Sequence, residues 1–516
     1  MPDAYCLLPD RTCGEKISMF EIEIERGFTI RMEETMRTVG IICEYNPFHN
    51  GHARQIRLAK EAVGEDCAVV CLMSGNYVQR GEPAIFPKST RAEAALRCGA
   101  DLVLELPLTV ALASAEGFAS GGVAILTALG CDYLCYGIES EDNNLIMSTA
   151  KANLDPAFDE LLRAELAAGC SYPAARQRVI DRLVGAELEE SRMYARIGPP
   201  SENQQPSVLS NPNDILAVEY CKAILRRNSP MRPLPIHRTG SYYAAALDPE
   251  APSATALRAA IEKECRDEHC SSGIRNECDL SKTNPETDTA AADKRCLSLQ
   301  SRHSERSEES ASPVPRAPAW SSAVPSCLHE LCASAPIHTM EAGERAVLAV
   351  LRTLPDAAFE ALPFGSEGLW SKFMKNCRSC GSVNEIIDAT KSKRYTRTRI
   401  QRMLFCAFLG LTAADLGQAD DVAHNVRRYS YGFPAPYVRV LGFTDRGRAA
   451  LREMKKTLEA RSPAEPALAL INAGETPPDP ALYALERRAA DLYSLFSEGG
   501  PRPAGEEARL RVCVIP

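Results

Sequence analysis

The sequence predicts an α/β fold: a Rossmann-like, doubly wound parallel sheet in the N-terminal half, followed by a mostly helical C-terminal region. Two observations carry this prediction. Between residues 38 and 139 short apolar runs alternate with helical stretches, as expected of strands buried on both faces. From residue 339 onward apolar residues recur mostly at helical spacing.

Taken in order, Val39–Cys43 is the first strand and His52–Val63 its helix. Ala68–Met73 ("AVVCLM") is a second strand, and Ser89–Cys98 ("STRAEAALRC") a second helix. Asp101–Leu108 and Cys131–Glu139 are further strands, with a helix from Ala115 to Leu129 between them. Residues 150–262 read as helices and loops and carry "SNPNDILAVEY", "IHRTGSYY" and "PSATALRAAI". Residues 1–35 show no sustained period and are expected to be a disordered, dispensable extension, with the folded chain opening at Met36. Residues 263–338 are largely polar, Ser/Glu/Arg/Pro-rich and aperiodic, so they are expected to form a disordered insertion that cannot bury enough surface to fold. The sequence thus divides into a catalytic domain at 36–262, the insertion, and a helical region at 339–516. In that last region "GERAVLAVLRTL", "SVNEIIDAT" and "RTRIQRMLFCAFLGL" are helices, Tyr437–Phe443 a strand and Asp445–Thr457 a helix.

Composition narrows the function. With 516 residues, 45% hydrophobic and 25% charged, the chain has ample material for a core. A net charge of −9 argues against indiscriminate coating of nucleic acid, so any nucleic-acid surface must be local. No apolar run approaches the roughly 18–20 residues that span a bilayer, and the N-terminus has no apolar signal core. A cytoplasmic protein without a membrane partner is expected, its 20 cysteines reduced. Cys377 and Cys380 form a single CxxC with no second pair nearby, so no metal site is predicted there.

The most informative stretch is "GIICEYNPFHNGHARQ", where an apolar run ends in Asn-Pro-Phe and His49-Asn-Gly-His52 opens a helix. A helix N-terminus offers unpaired N–H groups and the positive end of its dipole, which together attract phosphate. Histidines three apart share one face there and can donate to the same anionic oxygens, while Gly51 lacks a Cβ where a nucleotide would approach. Donors so placed suit charge developing on an α-phosphate. In the plainer alternative one histidine caps the helix and the other sits in the core. The position of the motif, between first strand and first helix of an α/β domain, favours the phosphate site.

"NPFHNGH" resembles the HxGH signature of the nucleotidylyltransferase superfamily. Together with "MSGNYVQRGEPAIFPKSTRAEAAL", "GADLVLELP", "PNDILAVEY" and "KSKRYTRTRIQRML", it resembles the bacterial tRNA(Met) cytidine acetate ligase family over residues 36–262 and 339–460. The resemblance implies a ligase that activates acetate with ATP, Mg²⁺ accompanying the triphosphate, and acetylates N4 of the wobble cytidine of elongator tRNA(Met). It places ATP binding on Ile42, Cys43, Glu44, Tyr45, Asn46, Pro47, Phe48, His49, Asn50, Gly51, His52, Ala53, Arg54 and Gln55, with His49 and His52 catalytic. Gly137, Asn213 and Arg238 follow as further nucleotide contacts.

Two more segments are read beside that resemblance. "PSATALR" is similar to the superfamily's second phosphate-binding turn, which would bring Ser253, Thr255 and Arg258 to the triphosphate; the alternative is an ordinary N-cap. In "GNYVQRGEPAIFPK", just past the second strand, Arg80 and Lys88 are candidates for the phosphates, the acetate carboxylate or the RNA.

Lys391, Lys393, Arg394, Arg397, Arg399 and Arg402, with Tyr395 among them, form a local cation density in an acidic chain. Such residues pair with phosphate backbone, and a tyrosine stacks on exposed bases. The alternative is a solvated helix face; the resemblance favours tRNA binding. Two rival functions remain: an adenylyltransferase acting on a phosphorylated small-molecule acceptor, and a non-catalytic tRNA-binding module with a vestigial nucleotide fold. The first gives no reason for the basic cluster, and the second would tolerate a damaged HxGH, which is intact here.

Overall fold

The structure, a computed structural model, describes residues 36–140, 143–170, 172–195, 211–238, 247–249, 252–271, 318–366, 368–392, 394–421, 426–429, 436–463 and 465–516. The expected N-terminal extension, residues 272–317 of the expected insertion, the end of "IHRTGSYY" and Lys393 lie outside the described residues.

In chain order the strands are β1 (Thr38–Cys43), β2 (Ala68–Ser74), β3 (Tyr77–Val78), β4 (Glu82–Pro83), β5 (Leu102–Leu106), β6 (Tyr133–Ile138), β7 (Arg232–His237), β8 (Gln418–Asp421), β9 (Val426–Tyr429), β10 (Tyr437–Phe443), β11 (Ala469–Asn472) and β12 (Cys513–Val514). The main sheet runs β11-β10-β5-β2-β1-β6-β7, with β12 added to β10. The strands β5, β2, β1, β6 and β7 pair in parallel. From β1 the chain winds outward through β2 and β5, then returns to place β6 and β7 on the other side. The topological switch point therefore lies between β1 and β6, where the carboxyl ends of the strands leave a crevice.

β1, β2 and β5 are buried along their whole lengths, which explains why they read as unbroken apolar runs. One face packs Ile42, Leu72 and Leu104 against Phe118, Val123 and Ile125 of the helix Ala115–Ala128. The other packs Val39, Ile41 and Val69 against Ile56 and Ala59 of the helix Asn50–Val63.

Two boundaries differ from the sequence reading. The expected strand Tyr437–Phe443 is β10, but the mostly helical region that holds it is not separate from the first sheet: β10 pairs antiparallel with β5, and β11 and β12 pair parallel with β10. Strands from beyond residue 436 thus complete the sheet, and the described residues from 37 to 516 pack as one unit. The edge of β5 is satisfied by backbone from a distant part of the chain, a pairing that no local pattern announces. Residues 318–338, assigned to the expected disordered insertion, are folded. Trp320, Ala323, Val324, Leu328 and Cys332 are buried in the second core face, on apolar spacings too short to register as a helix period.

The C-terminal helices enclose their own core, including Phe359, Phe373, Ile386, Ile400, Phe405 and Phe496. Tyr77 of β3 enters that core and donates its hydroxyl to the Ala489 carbonyl at 3.1 Å. The β3–β4 hairpin is thereby clamped between the sheet and the helices.

Candidate active site at the switch point

The helix Asn50–Val63 begins at the carboxyl end of β1, with His49 as its extended N-cap. The His49 N–H donates to His52 Nδ1 at 3.3 Å, and the two imidazoles stack with centroids 3.7 Å apart. Since His52 Nδ1 accepts, the proton of the neutral ring sits on Nε2, which is a donor. Burial, reinforced by Arg238 and Arg258, pushes His49 down to about 3. Burial and the neighbouring His49 hold His52 well below the ordinary value. Both rings are neutral hydrogen-bonding groups at neutral pH. A Cβ at Gly51 would lie 3.0 Å from His49 Cε1 and press on the ring, so the glycine leaves room for the histidine itself.

These residues open onto a cavity of about 630 Å³. Ile42, Cys43, Glu44, Tyr45, Asn46, His49, Gly51, His52, Arg54 and Gln55 line it. Pro47, Phe48, Asn50 and Ala53 do not. Phe48 is buried beside Tyr45, while Asn50 donates to the Pro249 and Ser322 carbonyls at 2.9 and 3.0 Å. Asn46 Oδ1 accepts the Ile85 N–H at 2.8 Å, which fixes the amide, and its buried Nδ2 has no partner among the described residues. An orphaned buried donor beside a helix N-terminus is the mark of a missing acceptor.

The distant candidates converge on the same cavity. Gly137, Asn213, Arg238, Thr255 and Arg258 all line it. Gly137 lies within β6. Asn213, in the first turn of the helix Pro212–Arg227, donates to Glu139 Oε1 at 2.6 Å and accepts from Arg238 Nη1 at 3.2 Å. Asp214, fully buried beside it, accepts the Glu139 and Ser140 N–H groups at 2.8 and 3.2 Å and so ties down the chain leaving β6. Arg258 donates to the Asn46 carbonyl at 2.7 Å and pairs with Glu82 at 3.3 Å. Ser253 is the N-cap of the helix Ala254–Ser271, its Oγ accepting the Ala256 N–H at 3.0 Å, and it does not line the cavity.

Arg80 lines the cavity, but Lys88 does not. Lys88 is buried and donates to Glu105 at 2.7 Å and Glu507 at 2.6 Å, so its charge is consumed within the fold. Arg91 was not expected. It is fully buried and donates to the carbonyls of Glu44, Ser74, Gly75 and Phe86, pinning the ends of β1 and β2.

The basic cluster divides in space. Lys391 and Arg394 are exposed, and Arg397 pairs with Asp388 at 2.8 Å. Tyr395 lies beneath Arg394 and Arg399, at 6.0 and 5.0 Å from ring centroid to guanidinium. Arg399 turns inward to the Phe364 carbonyl at 2.7 Å. Arg402 is buried and, with Thr398, lines the cavity. It leaves the outer face because the helix Arg397–Leu409 packs on the loop between β3 and β4. Gly81 in that loop has φ +76, and a Cβ there would lie 2.5 Å from the Arg402 backbone nitrogen. Gly81→Ala is expected to destabilise the chain by about 1–3 kcal/mol, read as a lower denaturation midpoint in urea.

The cavity's apolar wall was also missed: Phe118, Tyr136, Ile215, Leu216 and Tyr220. Each reads as an ordinary core residue, and nothing local distinguishes them. Cys377, buried within the helix Leu369–Ser379, is pushed up to about 12 by burial and behaves as a small apolar residue. Among the described residues no three His, Cys, Asp or Glu side chains converge as a metal site, and no helix is long and apolar enough to cross a membrane.

The profile of the HIGH Nucleotidyl Transferase family matches residues 36–505. The tRNA(Met) cytidine acetate ligase of Acetivibrio thermocellus is 30% identical over 489 residues, covering 93% of this chain and 100% of that protein. That of Clostridium novyi is 33% identical over 429 residues, 82% of this chain and 88% of that protein. The crystal structure of Thermotoga maritima TmcAL superposes with a TM-score of 0.67 at 25% identity, over 93% of this chain and 100% of that one. The same protein bound with alpha-thio ATP gives 0.67 at 26% identity. Sequence, fold and site agree: this chain belongs to the tRNA(Met) cytidine acetate ligase family of HIGH nucleotidyl transferases.

Proposed function

We propose that this chain is an ATP-dependent ligase that converts acetate to acetyl-adenylate and passes the acetyl group to N4 of the wobble cytidine of elongator tRNA(Met). The observation that carries the reading is the donor set around one cavity: His52 Nε2, Asn46 Nδ2, Arg80, Arg238 and Arg258 at the start of the HxGH helix. In the first step an acetate oxygen attacks the α-phosphorus and pyrophosphate leaves. The neutral histidines donate to oxygens gaining charge, and the arginines supply the positive field. Magnesium would enter on the triphosphate as part of the substrate. Adenosine would lie toward Gly137 and Asn213.

Acetate-dependent exchange of labelled pyrophosphate into ATP tests the first step. Exchange that requires acetate is expected; none with acetate, but exchange with a phosphorylated acceptor, would favour the adenylyltransferase rival. RNA recognition is assigned to the outward part of the basic cluster, supported by the exposure of Lys391 and Arg394 and by Tyr395 beside them. Charge reversal of both (Lys391→Glu with Arg394→Glu) is expected to weaken tRNA binding and lower the log K–log salt slope by about 1–2, leaving pyrophosphate exchange intact. An unchanged salt slope would remove them from the interface.

A further inference from the structure

The two carboxylates that line the cavity, Glu44 and Glu82, are not equivalent. Glu82 is spoken for by Arg258 at 3.3 Å. Glu44 uses Oε1 to accept the Gln79 N–H at 2.7 Å, and its Oε2 accepts no hydrogen bond among the described residues. Its backbone is fixed as well, the carbonyl accepting from Arg91 at 2.6 Å. Glu44 follows the last residue of β1, at the strand end where doubly wound sheets hold their ligands.

The two steps of the reaction differ in what they ask of a base. Acetate attacks the α-phosphorus as an anion and has no proton to lose. The exocyclic amine of cytidine has its lone pair drawn into the ring, so it attacks well only as a proton leaves. The histidines are poorly suited to take that proton. His52 Nδ1 already accepts from the His49 N–H, and both rings are held neutral and weakly basic by burial.

We propose that Glu44 is the general base of acetyl transfer, receiving the amine proton on Oε2; this rests on the ligase reading above. Cytidine N4 forms a bond to the acetyl carbonyl carbon, and the bond from that carbon to the phosphate oxygen breaks. AMP leaves with the electron pair, and one N4 proton passes to Glu44. No other reactant is consumed. The groups facing Glu44 are Arg80 and Arg258, which favour its charged form, and Glu82, which opposes it; Arg91 lies beneath, with Cys43 and Tyr220 alongside. Burial is the dominant influence and raises the carboxyl above its ordinary value, toward the range where a base works best near neutral pH.

Glu44→Gln tests this, since the amide oxygen still accepts the Gln79 N–H while the basic oxygen is lost. In the full-length chain, acetate-dependent pyrophosphate exchange should fall far less than acetyl transfer, so the ratio of the two rates reads the loss of the basic oxygen apart from any loss of nucleotide binding. Acetyl transfer from preformed acetyl-adenylate to unmodified elongator tRNA(Met) should fall by about 10²–10⁴-fold. The wild-type transfer rate should fall toward acid pH as Glu44 takes up a proton, a limb that should vanish in Glu44→Gln and persist in Glu44→Asp. Equal losses in both half-reactions would assign Glu44 to nucleotide binding and overturn the proposal, as would unimpaired transfer. A wild-type chain that exchanges no pyrophosphate would overturn the ligase reading instead.

Discussion

His52→Ala is expected to lower acetate-dependent pyrophosphate exchange by about 10²–10³-fold, the usual loss for one preorganised donor to developing charge. The effect should fall on kcat more than on ATP affinity, because the Nε2–H donor is worth most when the α-phosphate oxygens gain charge. The fold should survive, since His52 caps only its own helix and its removal vacates space facing the cavity. A normal melting profile alongside lost exchange separates this outcome from misfolding. An exchange rate equal to wild type would remove His52 from catalysis. The histidines also set a pH signature. A group whose folded pKa lies below its unfolded value binds fewer protons when folded, so its stabilising contribution is present above the unfolded value of 6.5 and lost as pH falls through it toward the folded value. His49, at about 3, then costs up to about 1.4 kcal/mol per pH unit across that window.

Lys88→Met is expected to cost about 3–5 kcal/mol of stability, because it leaves buried carboxylates without their cation. Lys88 and Arg439 sit among Glu105, Glu486 and Glu507, joining the site-bearing half of the sheet to β10 and the C-terminal helices. Burial alone would raise Glu105, yet Lys88 and Arg439 outweigh it and hold the carboxyl below its usual range. Burial and Glu105 push Glu486 the other way, and the Tyr437 hydroxyl donates to it at 2.7 Å. Two cations thus face three carboxylates, of which Glu105 is held toward its charged form and Glu486 toward its neutral one. Equilibrium denaturation measures the loss, and ATP affinity of the variant where still folded should be unchanged. A fall in ATP affinity at full stability would return Lys88 to the substrate loop.

The sheet from β1 to β6 was legible because each strand is buried on both faces and each helix keeps its period. The HxGH turn was legible because spacing and position together admit few readings. Arg238 and Arg258 depended on resemblance, for isolated surface arginines carry no local signal. What escaped was long-range. Lys88 finds Glu507 across 419 residues, and β10 closes the free edge of β5 from far along the chain. Arg402 looked like one cation among six until the helix Arg397–Leu409 packed on Gly81 and turned it into the cavity. Phe118, Tyr136 and Tyr220 were hidden differently, since an aromatic residue lining a cavity has the same sequence signature as one filling a core.

The central claim is that one cavity activates acetate and delivers it to an RNA amine. Labelled acetate, ATP with Mg²⁺ and unmodified elongator tRNA(Met) should be incubated with the full-length chain and the RNA digested to nucleosides. ATP-dependent label in N4-acetylcytidine at the wobble position is the predicted result. Acetyl-adenylate formed without labelled RNA would contradict the assigned acceptor, and neither product would contradict the account as a whole.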